Sequence, residues 1–176
     1  MNDSAMRVFI ATGFLGIVMF LGGCSSTGRK QITQPLESPI LTDSTVALSV
    51  QAKDGIDADE EEITEAIQIL SARLSDRLVS EGIFRQVVQH GESADYRMDV
   101  QLIGVSEVSA ASRILFGVLA GSNTLEVSTV VYRGNSNDPL TSFTVYGKSA
   151  AHPFSSESHM DDAFREVIDE IIPALQ

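Results

Sequence analysis

The chain has 176 residues, 43% of them hydrophobic and 20% charged, which allows one sizeable domain and excludes a disordered chain. Twelve Lys and Arg against 24 Asp and Glu give a net charge of −12, so no nucleic acid is expected as a partner, because phosphate binding needs a basic surface. The single cysteine leaves no internal disulfide framework and no cysteine-based zinc site.

Residues 1–7 are polar and hold one base, Arg7, beside the α-amino group, with Asp3 weakening that positive start. Val8 to Leu21 follow as 14 uncharged residues. A helix needs about 20 to cross a hydrocarbon core, so this run has the length of a secretory h-region. It ends in Leu21-Gly22-Gly23-Cys24, which resembles the lipobox of bacterial lipoproteins: a Leu, two small residues, then the cysteine that is lipidated. That family more often has Ala, Ser or Thr where Gly22 stands. The resemblance implies cleavage before Cys24, a diacylglyceryl thioether on its sulfur and a fatty acyl chain on its new amino terminus. Each buried CH₂ contributes about 0.8 kcal/mol, so several chains make a stable anchor. Ser25 resembles the default that Gram-negative cells pass to the outer membrane, where Asp would retain the protein in the inner one. The expected location is therefore the outer membrane, lipid-anchored and facing the periplasm. Removal of the first 23 residues takes one acid and one base, so the charge stays at −12.

Residues 24–42 read as the lipidated cysteine and a flexible tether, polar, without period, and broken by Pro35 and Pro39. Residues 43–176 read as one periplasmic domain. Val46, Leu48 and Val50 alternate with Ala47, Ser49 and Gln51 as a strand buried on one face. Asp57 or Asp59 is expected to cap a helix whose apolar stripe is Ile63, Ile67, Leu70, Leu74 and Leu78, with Gly82 as its stop. A strand is expected over 83–90. The clearest strand follows, with Tyr96, Met98, Val100 and Leu102 on one face. Leu125, Val127, Thr129 and Val131 form the next, and the turn residues 134–139 lead into a hairpin strand over 140–148. Met160, Phe164, Val167, Ile171 and Leu175 stripe a last helix with Asp161 and Asp162 in its first turn, loosened near Pro173. The order β-α-β-β-β-β-α predicts an α+β two-layer sandwich. Its sheet is expected to have four or five mostly antiparallel strands, with both helices on one face.

The order of short motifs adds a resemblance. Gly82-Ile83-Phe84 leaves the helix and Ala94-Asp95-Tyr96 opens the long strand. Arg113, Gly117 and Ala120-Gly121 precede the next strand, and Val145-Tyr146-Gly147 lies late in the last. Over most of residues 44–175 the chain resembles the bacterial lipoproteins grouped as domain-of-unknown-function family 4410. More distantly it resembles the amino-terminal domain of TolB and the periplasmic domain of the curli secretion lipoprotein CsgG. The resemblance implies a periplasm-facing lipoprotein that binds or assembles with envelope components, and it supplies no catalytic residues. The two long alternating hairpins of a CsgG-like pore have no counterpart here.

The remaining constellations read as structural. Asp54, Asp57, Asp59, Glu60, Glu61, Glu62 and Glu65 lack the glycine and closing glutamate of a calcium loop, and suit a solvated helix start. His152 and His159, seven apart with Pro153 between them, do not have the spacing of a helical metal pair, and His90 lies far off in sequence. Ser155, Ser156, Ser158, His159 and Asp161 hold the letters of a triad without a nucleophile elbow; Ser156 or Ser158 suits a helix cap. No metal, cofactor or catalytic group is expected. The exception is residues 109–121, an apolar, nearly uncharged connection between two strands. It reads either as core or as an interface in which Ile114, Leu115, Phe116, Val118 and Leu119 meet another subunit, an envelope protein or the bilayer. The functional expectation is a non-enzymatic assembly or accessory module of the cell envelope, possible as a homo-oligomer. The alternative is a lipoprotein that holds a small apolar ligand or lipid between helices and sheet.

Overall fold

In the computed structural model, residues 28–58, 60–106, 122–149 and 160–176 are described. Among them the sheet has six strands: β1 Arg29–Gln34, β2 Thr45–Ala52, β3 Gln86–Gln89, β4 Tyr96–Ser106, β5 Thr124–Arg133 and β6 Pro139–Lys148. Two helices complete the layer above it, α1 Glu61–Ser80 and α2 Met160–Ile171, the second continued by a 3₁₀ turn at Ile172–Leu175. The strand order is β1-β6-β5-β4-β2-β3. The sheet is mixed: β2 runs parallel to both β3 and β4, and the pairings β4–β5, β5–β6 and β1–β6 are antiparallel. The α+β expectation holds, and the strand count is corrected from four or five to six.

The sixth strand comes from the stretch read as a tether. Arg29 pairs with Tyr146 and Ile32 with Phe143, and Thr141 donates through Oγ1 to the Gln34 carbonyl at 2.8 Å. After it, Ile40 is buried and Leu36 packs against the core. This edge strand left no apolar alternation to read, because its side chains are largely solvated and Ile32 alone is large and apolar, at 53% exposure.

The central strands follow the alternation closely. Val46 lies opposite Tyr96, Leu48 opposite Met98 and Val50 opposite Val100. Met98 faces Val131, Leu102 faces Val127, and Thr129 faces Phe143. These side chains share one face, and both helices cover it. From α1 come Ile63, Ala66, Leu70, Leu74 and Leu78; Ile67 is only half-buried. From α2 come Phe164, Val167, Ile168 and Ile171. Gly147 lets α2 approach β6: a Cβ there would strike the Ala163 carbonyl oxygen and stand 2.7 Å from Val167 Cγ2.

The helix ends carry two lessons. The expected cap at Asp57 or Asp59 is not what the structure shows: the N-cap position falls to Glu60, whose side chain makes no capping hydrogen bond, and Asp59 lies outside the described residues. The acids of the first turn favour the macrodipole without it. At the other end Gly82 adopts φ +68°, its N–H bonds the Val79 carbonyl, and the Ile83 N–H bonds Leu78. This is the Schellman pattern, with Ile83 and Leu78 as its buried contact. Ile83 and Phe84 therefore belong to the helix stop, and the strand expected over 83–90 shrinks to Gln86–Gln89. Near Pro173 the α-helix does tighten into a 3₁₀ turn.

Candidate functional site

Among the described residues, nothing covers the face of the sheet away from the helices. It presents the outward half of each alternation: Arg97, Asp99 and Gln101 from β4, Glu126, Ser128 and Tyr132 from β5, Thr144 and Tyr146 from β6. Most of these are half-buried. The Arg97 guanidinium lies 4.1 Å from the centre of the Tyr132 ring and its Nε donates to Asp99 Oδ2 at 3.2 Å. Arg29 of β1 lies over Tyr146 at 5.6 Å. Two shallow depressions mark this face. One, of about 340 Å³, is lined by Arg29, Lys30, Gln31, Glu126, Thr144 and Tyr146. The other, of about 250 Å³, is lined by Ser49, Gln51, His90, Asp99, Val100 and Gln101. A polar platform with arginines over tyrosine rings can seat a protein surface.

The helical layer carries a cleft of about 510 Å³ between α1 and α2, lined by Arg73, Asp76, Arg77, Asp161, Arg165, Ile168 and Asp169. Arg73 pairs with Asp161 at 2.5 Å, Arg77 with Asp169 at 3.0 Å and with Glu81 at 3.2 Å, and Arg165 with Asp162 at 2.6 Å. The charges of this cleft are thus largely spent on each other. Below it, Leu70, Leu74, Leu78, Phe84, Tyr96, Met98 and Phe143 fill the space between helices and sheet at 2% exposure or less.

The two ends of the sheet differ. At one end Asp95 holds β4 to β2: its carboxylate accepts from the Thr45 N–H at 2.8 Å and from Thr45 Oγ1 at 2.9 Å. Those two bonds, with Arg85 nearby, hold its pKa below the ordinary carboxylate range. The Tyr96 ring meets Phe84 at a tilt of 56°, with ring centres 5.6 Å apart, and its hydroxyl accepts the Leu41 N–H at 3.3 Å. The Gly82-Ile83-Phe84 and Ala94-Asp95-Tyr96 motifs therefore meet here as one structural joint. At the opposite end a cleft of about 310 Å³ is lined by Glu62, Glu65, Ala66, Ile69, Val105, Met160 and Phe164.

Of the residues singled out in the sequence, Leu21, Gly22, Gly23, Cys24 and the stretch with Ile114, Leu115, Phe116, Val118 and Leu119 lie outside the described residues. So do His152, His159, Ser155, Ser156 and Ser158. The flanks of the apolar connection are described: Ser106 pairs with Thr124, so its two ends leave the sheet side by side, next to the cleft at Val105. Asp54, Asp57, Glu60, Glu61, Glu62 and Glu65 are exposed. Among the described residues no group of three or more His, Cys, Asp or Glu is placed to hold a metal ion. Among them, too, no helix is long and apolar enough to cross a membrane. Sequence reasoning missed the arginine platform. Its signal was the polar half of an alternation in which Arg97 and Tyr132 fall on the same outward face, opposite each other across β4 and β5.

Comparison with known proteins bears on the whole fold. The family model described as "Domain of unknown function (DUF4410)" matches residues 40–153. No curated protein matches the chain. Among solved structures, the chain is similar to the PelC dodecamer from Paraburkholderia phytofirmans in two crystal forms. The TM-scores are 0.60 and 0.58 at 13% identity, covering 85% of this chain and 98% of that one. A Xanthomonas campestris protein of family DUF330 matches at a TM-score of 0.42 and 10% identity, over 82% of this chain and 86% of that one.

Proposed function

The chain belongs to the family described as the domain of unknown function DUF4410, and from that premise we propose that it is a lipid-anchored, periplasm-facing protein of the outer membrane that acts as a homo-oligomeric assembly module without catalysis. The observation that carries this reading is the shared architecture with PelC. A fold that covers 98% of the PelC chain, and that in PelC builds a dodecamer, here leaves one sheet face and both sheet edges uncovered among the described residues. Supporting it is the chemistry of the chain: a polar platform with stacked arginines, a cleft whose charges are paired internally, and a packed interior. Cys24 is the anchor, with Leu21, Gly22 and Gly23 as the residues recognised before cleavage. Ile114, Leu115, Phe116, Val118 and Leu119 supply apolar contact area to the assembly.

The test uses the full chain, expressed with its own leader in a Gram-negative host. Labelled palmitate is expected to enter the wild type and not a Cys24→Ala variant. Light scattering of the detergent-extracted protein is expected to give one species of several copies, and Phe116→Asp with Leu119→Asp is expected to reduce it to a folded monomer. An unlabelled protein contradicts the anchor; a monomeric wild type contradicts the assembly.

A further inference from the structure

β1 changes the reach of the anchor. If residues 24–42 were a flexible tether, the domain would range up to about 60 Å from Cys24. The sheet instead begins at Arg29, and Gly28, Arg29 and Lys30 are held against their neighbours. Gly28 packs so closely on α2 that a Cβ would stand 3.0 Å from Glu170 Cγ. Lys30 Nζ reaches the Glu170 carboxylate at 3.7 Å and its backbone carbonyl at 3.5 Å, while Arg29 lies over Tyr146. Only Ser25–Gly28 remain between the anchor and the sheet, and four residues span at most about 14 Å.

The pairing register says which part of the molecule that short leash holds down. Arg29 lies opposite Tyr146, and Thr124 lies opposite both Lys148 and Ser106. The start of β1, the end of β6, the start of β5 and the end of β4 thus share one end of the sheet. The β5–β6 turn at Gly134–Asp138 is at the other, about 30 Å away along ten-residue β5. The acids at the start of α1 lie at the same end as the start of β1, with Glu62 and Glu65 lining the cleft at Val105, but over the other half of the sheet, since α1 packs on β2, β3 and β4. Four strand spacings, about 19 Å, separate β1 from β2. Among the described residues, the corner nearest the bilayer holds Arg29, Lys30 and Lys148 together with Glu126, Glu166 and Glu170, and Lys30 is paired with Glu170.

We infer that the domain stands on the lipid headgroups at the β1 corner of its sheet, with the β5–β6 turn pointing away from the membrane. This rests on the anchor at Cys24. The occupant of that corner is the lipid surface itself, held there by the leash, where Arg29 and Lys148 are exposed.

The test places a donor fluorophore on the lipidated full chain in vesicles of phosphatidylethanolamine and phosphatidylglycerol carrying a headgroup acceptor. Cys24, the only cysteine, is blocked by its lipid, so Ser106→Cys and Asn137→Cys each label one exposed site. Energy transfer is expected to be at least twofold stronger from position 106. Inserting about twelve Gly and Ser residues after Thr27 is expected to erase the difference. Equal transfer from the two sites in the wild type overturns the inference, as does a difference that survives the insertion. A chain that fails to float with vesicles overturns the anchor, and the orientation with it.

Discussion

Gly147 is where the fold is least forgiving. It sits in the middle of the contact between β6 and α2, with the Ala163 carbonyl and Val167 in the space a side chain would need. Gly147→Ala must push backbone against backbone, and overpacking of this kind costs about 1–3 kcal/mol. Gly104, by contrast, has nothing within 4 Å of a Cβ. Urea denaturation is expected to show a large loss for Gly147→Ala and little change for Gly104→Ala; equal midpoints would contradict the close approach. Asp95 gives a second test. Its pKa is depressed in the fold by the Thr45 hydrogen bonds, so its contribution is full above the ordinary carboxylate range and is lost as the pH falls through the folded value. The gap in Tm between wild type and Asp95→Asn is therefore expected to be open at pH 7 and to close in acid. A gap that stays constant into acid would contradict this role.

At the scale of elements, packing outweighs charge. Leu74 is fully buried under α1, and removing such a side chain costs about 2–5 kcal/mol. Its neighbour in sequence, Arg73, pairs with Asp161 with 42% and 75% of the two side chains accessible. A pair so solvated is worth about 0–1 kcal/mol. Leu74→Ala is expected to lower the urea midpoint several times more than Arg73→Ala, and the reverse order would contradict this account of the helix layer. The same contrast explains what could be read beforehand. Period-two burial announced β4, β5 and β6, and the apolar stripes announced both helices, because each of these elements buries one face. β1 buries almost nothing and announced nothing. Ile83 and Phe84 are buried by a helix stop rather than by a strand, which apolar runs alone do not distinguish. The parallel pairing of β2 with β3 and β4 depends on chain crossovers, which no local pattern records. The arginine platform is likewise assembled from four strands and becomes visible only once their register is known.

For the whole molecule the dominant long-range term is its net charge of −12. Copies of such a chain repel one another, and salt screens that repulsion over a Debye length of about 10 Å at 0.1 M. Sedimentation velocity of the extracted protein is expected to show association strengthening as ionic strength rises from about 20 to about 200 mM. Weakening over that range would mean that the contacts pair opposite charges. The proposed role joins two properties in one particle, a lipid on Cys24 and assembly of the DUF4410 fold. Native mass spectrometry of the protein extracted from membranes reads both at once. The expected spectrum is a single assembly of several copies, each chain beginning at Cys24 and carrying the mass of its acyl groups. A monomer that retains residues 1–23 or lacks the lipid mass would contradict the proposal.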